Sequence, residues 1–520
     1  MAPKSAQEKQ ADENVIASPP PIEVNSDTPG VAIEDLKGVD PSDDIGRQYY
    51  LQNKDEEISD EEKKRVRRKI DLYLLPMMMV TGFLQYLDKS TINYSANYGL
   101  SESLNMQGTD YSWASSIFFF GFLFWQYPSL LLLQRFPLGK YFASQVMGWG
   151  VLTFLMAASS NFGGFAALRF LLGAAESIQL AAFFIITNMW YTRDEQPIRL
   201  MAWYGMSPIA IIVGSLFAYG IGHIDSKIGL WRFPFIICGA VSVVWAVVLW
   251  FALPSNPASA WFLEERERIV ALRRMEDAKT GVESKKFKMD QAIEAFRDPK
   301  VWLAGLSTGS GNILNGIGLF QSLVIRGFGF TPLQTALLQV PTGVIEIIGL
   351  IVFCTLASRV RNSRLAFASL ANALAIVGAS MLYGFDVDQR WRLMAGYVTF
   401  WAMMAFIPCS FLLGMGTISG NIAGHTKKVT AQAIMFTCYC CGCIVGPQLY
   451  TTPPYRQGLR ANIVSLAVSL FAGISNIAYM HYENRKRRAF LEEHRHLLNE
   501  DDYYFRDLTD KQNPFILNVL

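Results

Sequence analysis

Between about residues 70 and 482 the chain alternates long apolar runs with short polar breaks. Each run holds roughly 20 mostly apolar residues or more, the length a helix needs to cross about 30 Å of hydrocarbon. A helix is the expected element, because in lipid every backbone polar group has to be satisfied within its own segment. The pattern predicts spans near 71–98, 108–133, 138–159, 163–191, 200–222 and 231–253. A second set follows near 299–323, 333–357, 365–385, 393–417, 429–452 and 458–481. The expected fold is all-α integral membrane, with twelve transmembrane helices in two six-helix bundles over 70–253 and 299–482. The polar stretches 1–69, 254–298 and 483–520 read as an N-terminal tail, a connector loop and a C-terminal tail.

Composition agrees with this pattern. Hydrophobic residues make up 51% of the 520 and charged residues 17%, and mean hydropathy is +0.21 although both tails are polar. That balance excludes an ordinary soluble domain. The stretch before the first span is acidic and polar, contains Pro19, Pro20 and Pro21, and lacks the apolar core of a cleavable signal peptide. It is expected to be disordered.

Charge then orients the bundle. The N-terminal tail ends in Lys63, Lys64, Arg65, Arg67, Arg68 and Lys69, and positive charge beside a span marks the cytoplasmic side. Alternate loops repeat the signal with Arg135 and Lys140, Arg193 and Arg199, Arg359, Arg361 and Arg364, then Lys427 and Lys428. The run Arg485 to Arg488 follows the last span, whereas the loop 99–110 carries Glu102 and Asp110 and no cation. Both termini are therefore expected in the cytoplasm. The connector, with Pro254, Pro257 and the mixed charges Glu264 to Arg268, reads as an amphipathic surface helix plus linker. Arg135 and Lys140 after the second span have the same spacing as Arg359 and Arg364 after the eighth. This echo suggests duplicated halves, an architecture that puts the substrate site between them.

Charges inside the spans carry the chemistry, since one at mid-span costs about 2.5–3.5 kcal/mol on insertion scales and usually faces a cavity or another charge. In the fourth span Arg169 and Glu176 stand seven residues apart, close to two helical turns, and so share a face. Arg169 can hold a carboxylate through its fork of donors. Glu176 is a candidate for reversible protonation in a low-dielectric cavity. A structural ion pair with a neighbouring span is the competing reading. Asp88 and Lys89 in the first span are possible partners, and Glu346 in the eighth is also embedded, either functional or neutral and hydrogen-bonded. In the seventh span Gly309, Gly311, Gly316 and Gly318 with Asn312 and Asn315 suggest a kinked helix facing a cavity, or else simple packing. A phosphate loop is not expected there, because no Lys-Ser/Thr follows.

Cys438, Cys440, Cys441 and Cys443 crowd the eleventh span. Without a nearby His or carboxylate to complete a ligand set they read as small packing thiols. No cofactor and no metal are expected. The cytoplasmic loops hold no nucleophile–base arrangement, which argues against an enzyme.

Several strings together resemble the major facilitator superfamily, specifically its fungal anion:cation symporter branch, the allantoate permease-like carriers. They are Tyr86-Leu87-Asp88-Lys89, the Arg169 to Glu176 stretch, Trp190 to Arg199, Leu230-Trp231-Arg232-Phe233, Asn421 to Lys428, and Ile444-Val445-Gly446-Pro447-Gln448. The resemblance covers about 71–482. It implies proton-coupled uptake of a small organic anion, such as a carboxylate, ureide or vitamin-like nutrient, by alternating access, in a plasma-membrane monomer. By that resemblance Lys89 and Arg169 bind substrate, and the cavity-facing reading of the seventh span adds Asn312 and Asn315 as further candidates. Glu176, with Asp88, couples protons, and Arg135, Lys140, Arg359 and Arg364 gate. One departure is Gln134 where the superfamily pattern has Asp before Arg135, which removes a carboxylate from the gating relay. Another is the fifth span, which shows only Gly205, Pro208 and Gly214 of the glycine-rich run of drug:proton antiporters. This favours uptake over export. A metabolite exporter or a nutrient sensor with the carrier fold are the alternatives.

Overall fold

The computed structural model describes residues 58–192, 195–277, 288–327, 329–360, 363–384, 409–411, 413–414, 421–451, 455–494, 509–513 and 515–518. Outside them lie most of the N-terminal tail, Arg193, the middle of the connector, Arg361, most of the expected span 393–417 and residues 495–508.

The first helix, α1 (Asp60–Ala96), starts about ten residues before the expected tail ends. Ser59 and Glu62 form a reciprocal capping box there, satisfying two of the amides that a helix start leaves unpaired. At about 1.5 Å per residue its 37 residues outrun the hydrocarbon core, and its basic end packs on the connector, with Val66 and Ile70 buried and Lys69 paired with Glu267. Next come α2 (Asp110–Arg135), α3 (Leu138–Met156), α4 (Phe162–Glu176), α5 (Gln179–Trp190), α6 (Gln196–Tyr204), α7 (Met206–Ile221) and α8 (Arg232–Ala252). Helices α4 and α5 together make the fourth span and α6 with α7 the fifth.

Two amphipathic helices, α9 (Glu265–Asp277) and α10 (Met289–Arg297), belong to the connector. The seventh span is broken. Helix α11 (Pro299–Gly311) passes through a 3-10 turn at Asn312–Leu314 into α12 (Asn315–Gly327). Then follow α13 (Pro332–Leu338), α14 (Val340–Arg359), α15 (Arg364–Gly384), α16 (His425–Gln448) and α17 (Arg456–His494).

Among the described residues, nine helical segments are long and apolar enough to cross a membrane. The third and seventh expected spans are present as α3 and as the broken α11–α12 pair. These shapes fit a twelve-helix membrane fold.

Helix pairing displays the duplication. The first span packs on the fifth and sixth, and the third on the sixth. The same pattern recurs as the seventh on the eleventh and twelfth, and the ninth on the twelfth. The halves meet where α2 packs on α16 and α7 on α14.

Glycines set the tightest contacts within the halves. A Cβ on Gly173 of α4 would lie 1.8 Å from the Phe118 carbonyl oxygen of α2. One on Gly442 of α16 would lie 2.0 Å from the Gly309 carbonyl oxygen of α11. Gly309 and Gly316 of the seventh span thus serve backbone-to-backbone packing, which is what small residues allow between membrane helices.

Hydrogen bonds between the halves cluster at the end far from the termini. Asn93 of α1 donates to Gln339 Oε1 at 2.9 Å and accepts from the Ser322 amide at 2.9 Å. Tyr111 of α2 donates to the Leu319 carbonyl and Ser116 to the Ile444 carbonyl. At the terminal end the ion pairs stay within one half and its neighbouring connector helix. Arg199 pairs with Asp71, Arg274 with Glu195, and Lys69 with Glu267.

The other half is closed by the C-terminal segment. Asp510 is fully buried and accepts from Lys300 of α11 and Lys427 of α16. Lys427 also pairs with Asp298 and Glu294, and Asn518 exchanges two 2.8 Å hydrogen bonds with Asn484 of α17. Residues 509–513 and 515–518 therefore form part of the folded body.

Candidate functional site

Helices α1, α2, α4 and α16 surround the buried charges. Arg169 is fully buried. Its Nε donates to the Ala114 carbonyl at 3.1 Å, and its guanidinium lies 5.0 Å from the centre of the Phe118 ring. Neither of its terminal nitrogens has a hydrogen-bond partner among the described residues. The close α2–α4 contact at Gly173 brings Phe118 and Ala114 to this arginine. Lys89 is half-buried, with Nζ 5.0 Å from the centre of the Phe119 ring. Aromatic faces attract cations without neutralising them, so both groups keep donors for an anion.

Glu176, also fully buried, accepts a 2.6 Å hydrogen bond from Gln85 Nε2 through one oxygen, while the other has no partner among the described residues. No ion pair joins Glu176 to Arg169 there. Lys89 feels the charges of both Glu176 and Arg169. Three of the expected residues thus share one region, with Gln85 one turn from Lys89 on the same face of α1.

The remaining expected residues divide. Asp88 is held from the sixth span, where Ser242 donates to its Oδ2 at 2.7 Å, and its charge still reaches Glu176. Asn312 donates to the Thr308 carbonyl of its own helix and lines a separate polar pocket with Asn372, Ser469 and Asn476 inside the second half. Asn315 lies beside Cys443, and Cys443 in turn lies within electrostatic reach of Lys89. Arg135, Lys140, Arg359 and Arg364 are exposed at loop ends and form no ion pair among the described residues. Lys140 rests 6.0 Å from the centre of the Trp250 ring.

Sequence reasoning missed Gln85, Phe118, Phe119 and the inward side of Cys440 and Cys443. Gln85 could have been found from its four-residue spacing to Lys89. The phenylalanines lie within an aromatic run that reads as ordinary membrane-facing residues. Cys438, by contrast, packs on the seventh span, 3.0 Å from where a Cβ of Gly305 would stand.

An aromatic layer continues the site toward the terminal end. Phe119 meets Tyr439, Phe122 stacks on Phe436 with centroids 5.3 Å apart, and Tyr204 stacks on Phe411. Each contact joins the two halves. The arrangement is a buried region with two cations, one carboxylate and aromatic walls at the interface of duplicated bundles. It suits binding and release of a solute and contains no catalytic constellation.

Comparison with known proteins agrees. The model of the Major Facilitator Superfamily matches residues 78–447. An uncharacterized transporter of Schizosaccharomyces pombe is 39% identical over 93% of this chain and 92% of its own. The allantoate permease of Saccharomyces cerevisiae is 33% identical over 89% of this chain and 87% of its own. Among solved structures, a D-xylose-proton symporter superposes with a TM-score of 0.58 at 11% identity, covering 78% of this chain and 97% of that one. A bacterial homologue of the human lysosomal transporter Spinster, inward-facing and occupied, gives 0.55 at 13% identity, over 78% and 96%. With a family model matched over most of its length and relatives named as transporters and permeases, this chain belongs to the Major Facilitator Superfamily, in its fungal permease branch, and is a multi-pass membrane transporter rather than an enzyme.

Proposed function

We propose that the transporter takes up a small organic anion together with a proton. The observation that carries this reading is the pair Lys89 and Arg169, buried or half-buried beside aromatic rings, with no carboxylate in direct contact among the described residues. Two cations so placed attract an anion, and the free fork of Arg169 suits a carboxylate. Glu176, within their field and held only by a neutral amide, is the proton carrier in this reading. Its protonation removes the negative charge that competes with the substrate. The name of the allantoate permease supports a ureide or related carboxylate as cargo.

In this reading the two halves give alternating access to the site between them. With hydrogen bonds between the halves at the far end, the site opens by parting the aromatic layer at the terminal end. Arg135, Lys140, Arg359 and Arg364 find partners only when that end closes. Cytoplasmic termini, the plasma membrane and a monomeric carrier complete the proposal. The test is accumulation of a panel of labelled carboxylates and ureides by yeast lacking its related permeases. Proton-driven accumulation of at least one is expected. Outward flux only, or binding without accumulation, would favour an exporter or a sensor.

A further inference from the structure

One buried carboxylate takes no part in the site described so far. Glu346 of α14 is 4% exposed in the middle of the eighth span. Its position follows from the contact between halves. One turn earlier, a Cβ on Gly343 would meet the Pro208 carbonyl oxygen of α7 at 2.6 Å and the Ile212 side chain at 2.7 Å. The two helices run antiparallel, so Glu346 comes level with the start of α7 and with Tyr204 just before it. The phenols of Tyr204 and of Tyr86 on α1 both feel its charge.

Tyr86 stands one residue from Gln85 and one turn from Lys89 on α1, so the same helix wall faces both ends of the region. Glu346 is not among the charges that act on Lys89 or Arg169. Among the described residues no cation acts on it and no hydrogen bond to it is present. The region is therefore bipolar. Lys89 and Arg169 lie toward the second, fourth and eleventh spans, and an uncompensated carboxylate with two phenols lies toward the fifth and eighth.

A buried carboxylate without a donor costs free energy that a ligand can recover. An anion alone gains nothing from this second pole and is repelled by it. We propose that Glu346, with Tyr86 and Tyr204, receives a hydrogen-bond-donating group at the other end of the anion, so that the carrier selects carboxylates bearing an amide, ureido or ammonium group over plain carboxylates. The assignment rests on the anion-carrier reading above. It names Glu346 as the residue that sets specificity within it. Because α14 belongs to the second half and the cations to the first, one such substrate bridges both halves, and a plain carboxylate bridges them less well.

A matched pair of probes tests this. Ureidoacetate and levulinate have the same charge and shape, and differ in that NH2 and NH of the first are CH3 and CH2 in the second. Binding to the purified full chain is followed by thermal stabilisation for the wild type, Glu346→Gln, Glu346→Asp and Arg169→Ala, each confirmed monodisperse by size exclusion. The wild type is expected to prefer ureidoacetate by at least about tenfold, well within the discrimination open to a site built to hydrogen-bond an N–H. Glu346→Gln should bring the two probes to near-equal affinity, Glu346→Asp should keep part of the preference, and Arg169→Ala should weaken both. Equal binding of the two probes by the wild type, or an undiminished preference in Glu346→Gln, overturns the assignment and leaves the anion-carrier reading standing. Binding of neither probe by the folded wild type overturns both.

Discussion

Arg169 is anchored through Nε alone, with its fork free, which sets what its replacement does. A charge-assisted hydrogen bond contributes about 1.5–3 kcal/mol, so Arg169→Ala should raise the apparent KM for an identified substrate by about ten- to a hundredfold. Arg169→Lys should recover little, because a point charge does not reproduce the planar fork. Normal affinity in Arg169→Ala would falsify its binding role. Glu176→Gln gives a different signature. The amide can still meet Gln85, but it carries no proton. Uptake that is faster at about pH 5 than at about pH 7 in the wild type should become equal at the two in Glu176→Gln, if Glu176 is the group that titrates between them. Persistence of the pH dependence would move coupling to another carboxylate. Arg169, Lys89 and Glu176 were all visible in the sequence, because charge inside an apolar run needs a reason. Their platforms were not, since Phe118 and Phe119 look like lipid-facing residues until the α2–α4 contact turns them to the cations.

Helix by helix, hydropathy located the spans that the described residues cover, but not the break in the fourth or the chain segments that brace them. The 3-10 turn at Asn312–Leu314 falls where the glycines and Asn312 and Asn315 suggest a kinked helix, whereas the interruption after Glu176 leaves no mark on apolar content. Gly173 could be read only as a spacer between two charges, and its role lies in the 1.8 Å that a Cβ would leave to the Phe118 carbonyl oxygen. Overpacking of this kind costs about 1–3 kcal/mol or more. Gly173→Ala should therefore lower the melting temperature and the monodisperse yield in detergent, and wild-type stability would show that α2 and α4 can separate without cost.

The C-terminal segment is a second case, because a polar, charged stretch beyond the last span carries no sequence sign of docking. Burial raises the Asp510 carboxyl, but Lys300 and Lys427 outweigh that and hold it below the usual range. A carboxyl so lowered stabilises the fold above its unfolded pKa of about 3.9, and loses that contribution as pH falls through its lower folded value. Asp510→Asn should thus melt several degrees below the wild type at neutral pH, with the gap narrowing in acid. A gap that stays constant with pH would assign the loss to packing.

At the scale of the whole molecule, alternating access requires the far end to open, and the bonds that hold it shut are few and identifiable. Among the described residues Asn93 donates to Gln339 Oε1 and accepts from the Ser322 amide, and Gln339 also donates to Ser322 Oγ at 2.9 Å. Asn93→Val keeps the helix and most of the volume, but leaves Gln339 Oε1 without its Asn93 donor and removes an acceptor of the Ser322 amide, in the closed state only. Each unpaired group costs about 1–3 kcal/mol, and about 1.4 kcal/mol moves a two-state equilibrium tenfold. The variant should spend at least about ten times longer open at the far end. Cys443 provides the readout, being fully buried and within electrostatic reach of Lys89. With the other cysteines replaced, a membrane-impermeant thiol reagent added from the far side should label Cys443 slowly in the wild type and about tenfold faster in Asn93→Val. Because Asn93 touches neither cation, ligand affinity from the terminal side should fall only by the loss of the competent population. Unchanged labelling, with affinity reduced, would instead put Asn93 in the binding site and move the far-end closure to Tyr111 and Ser116.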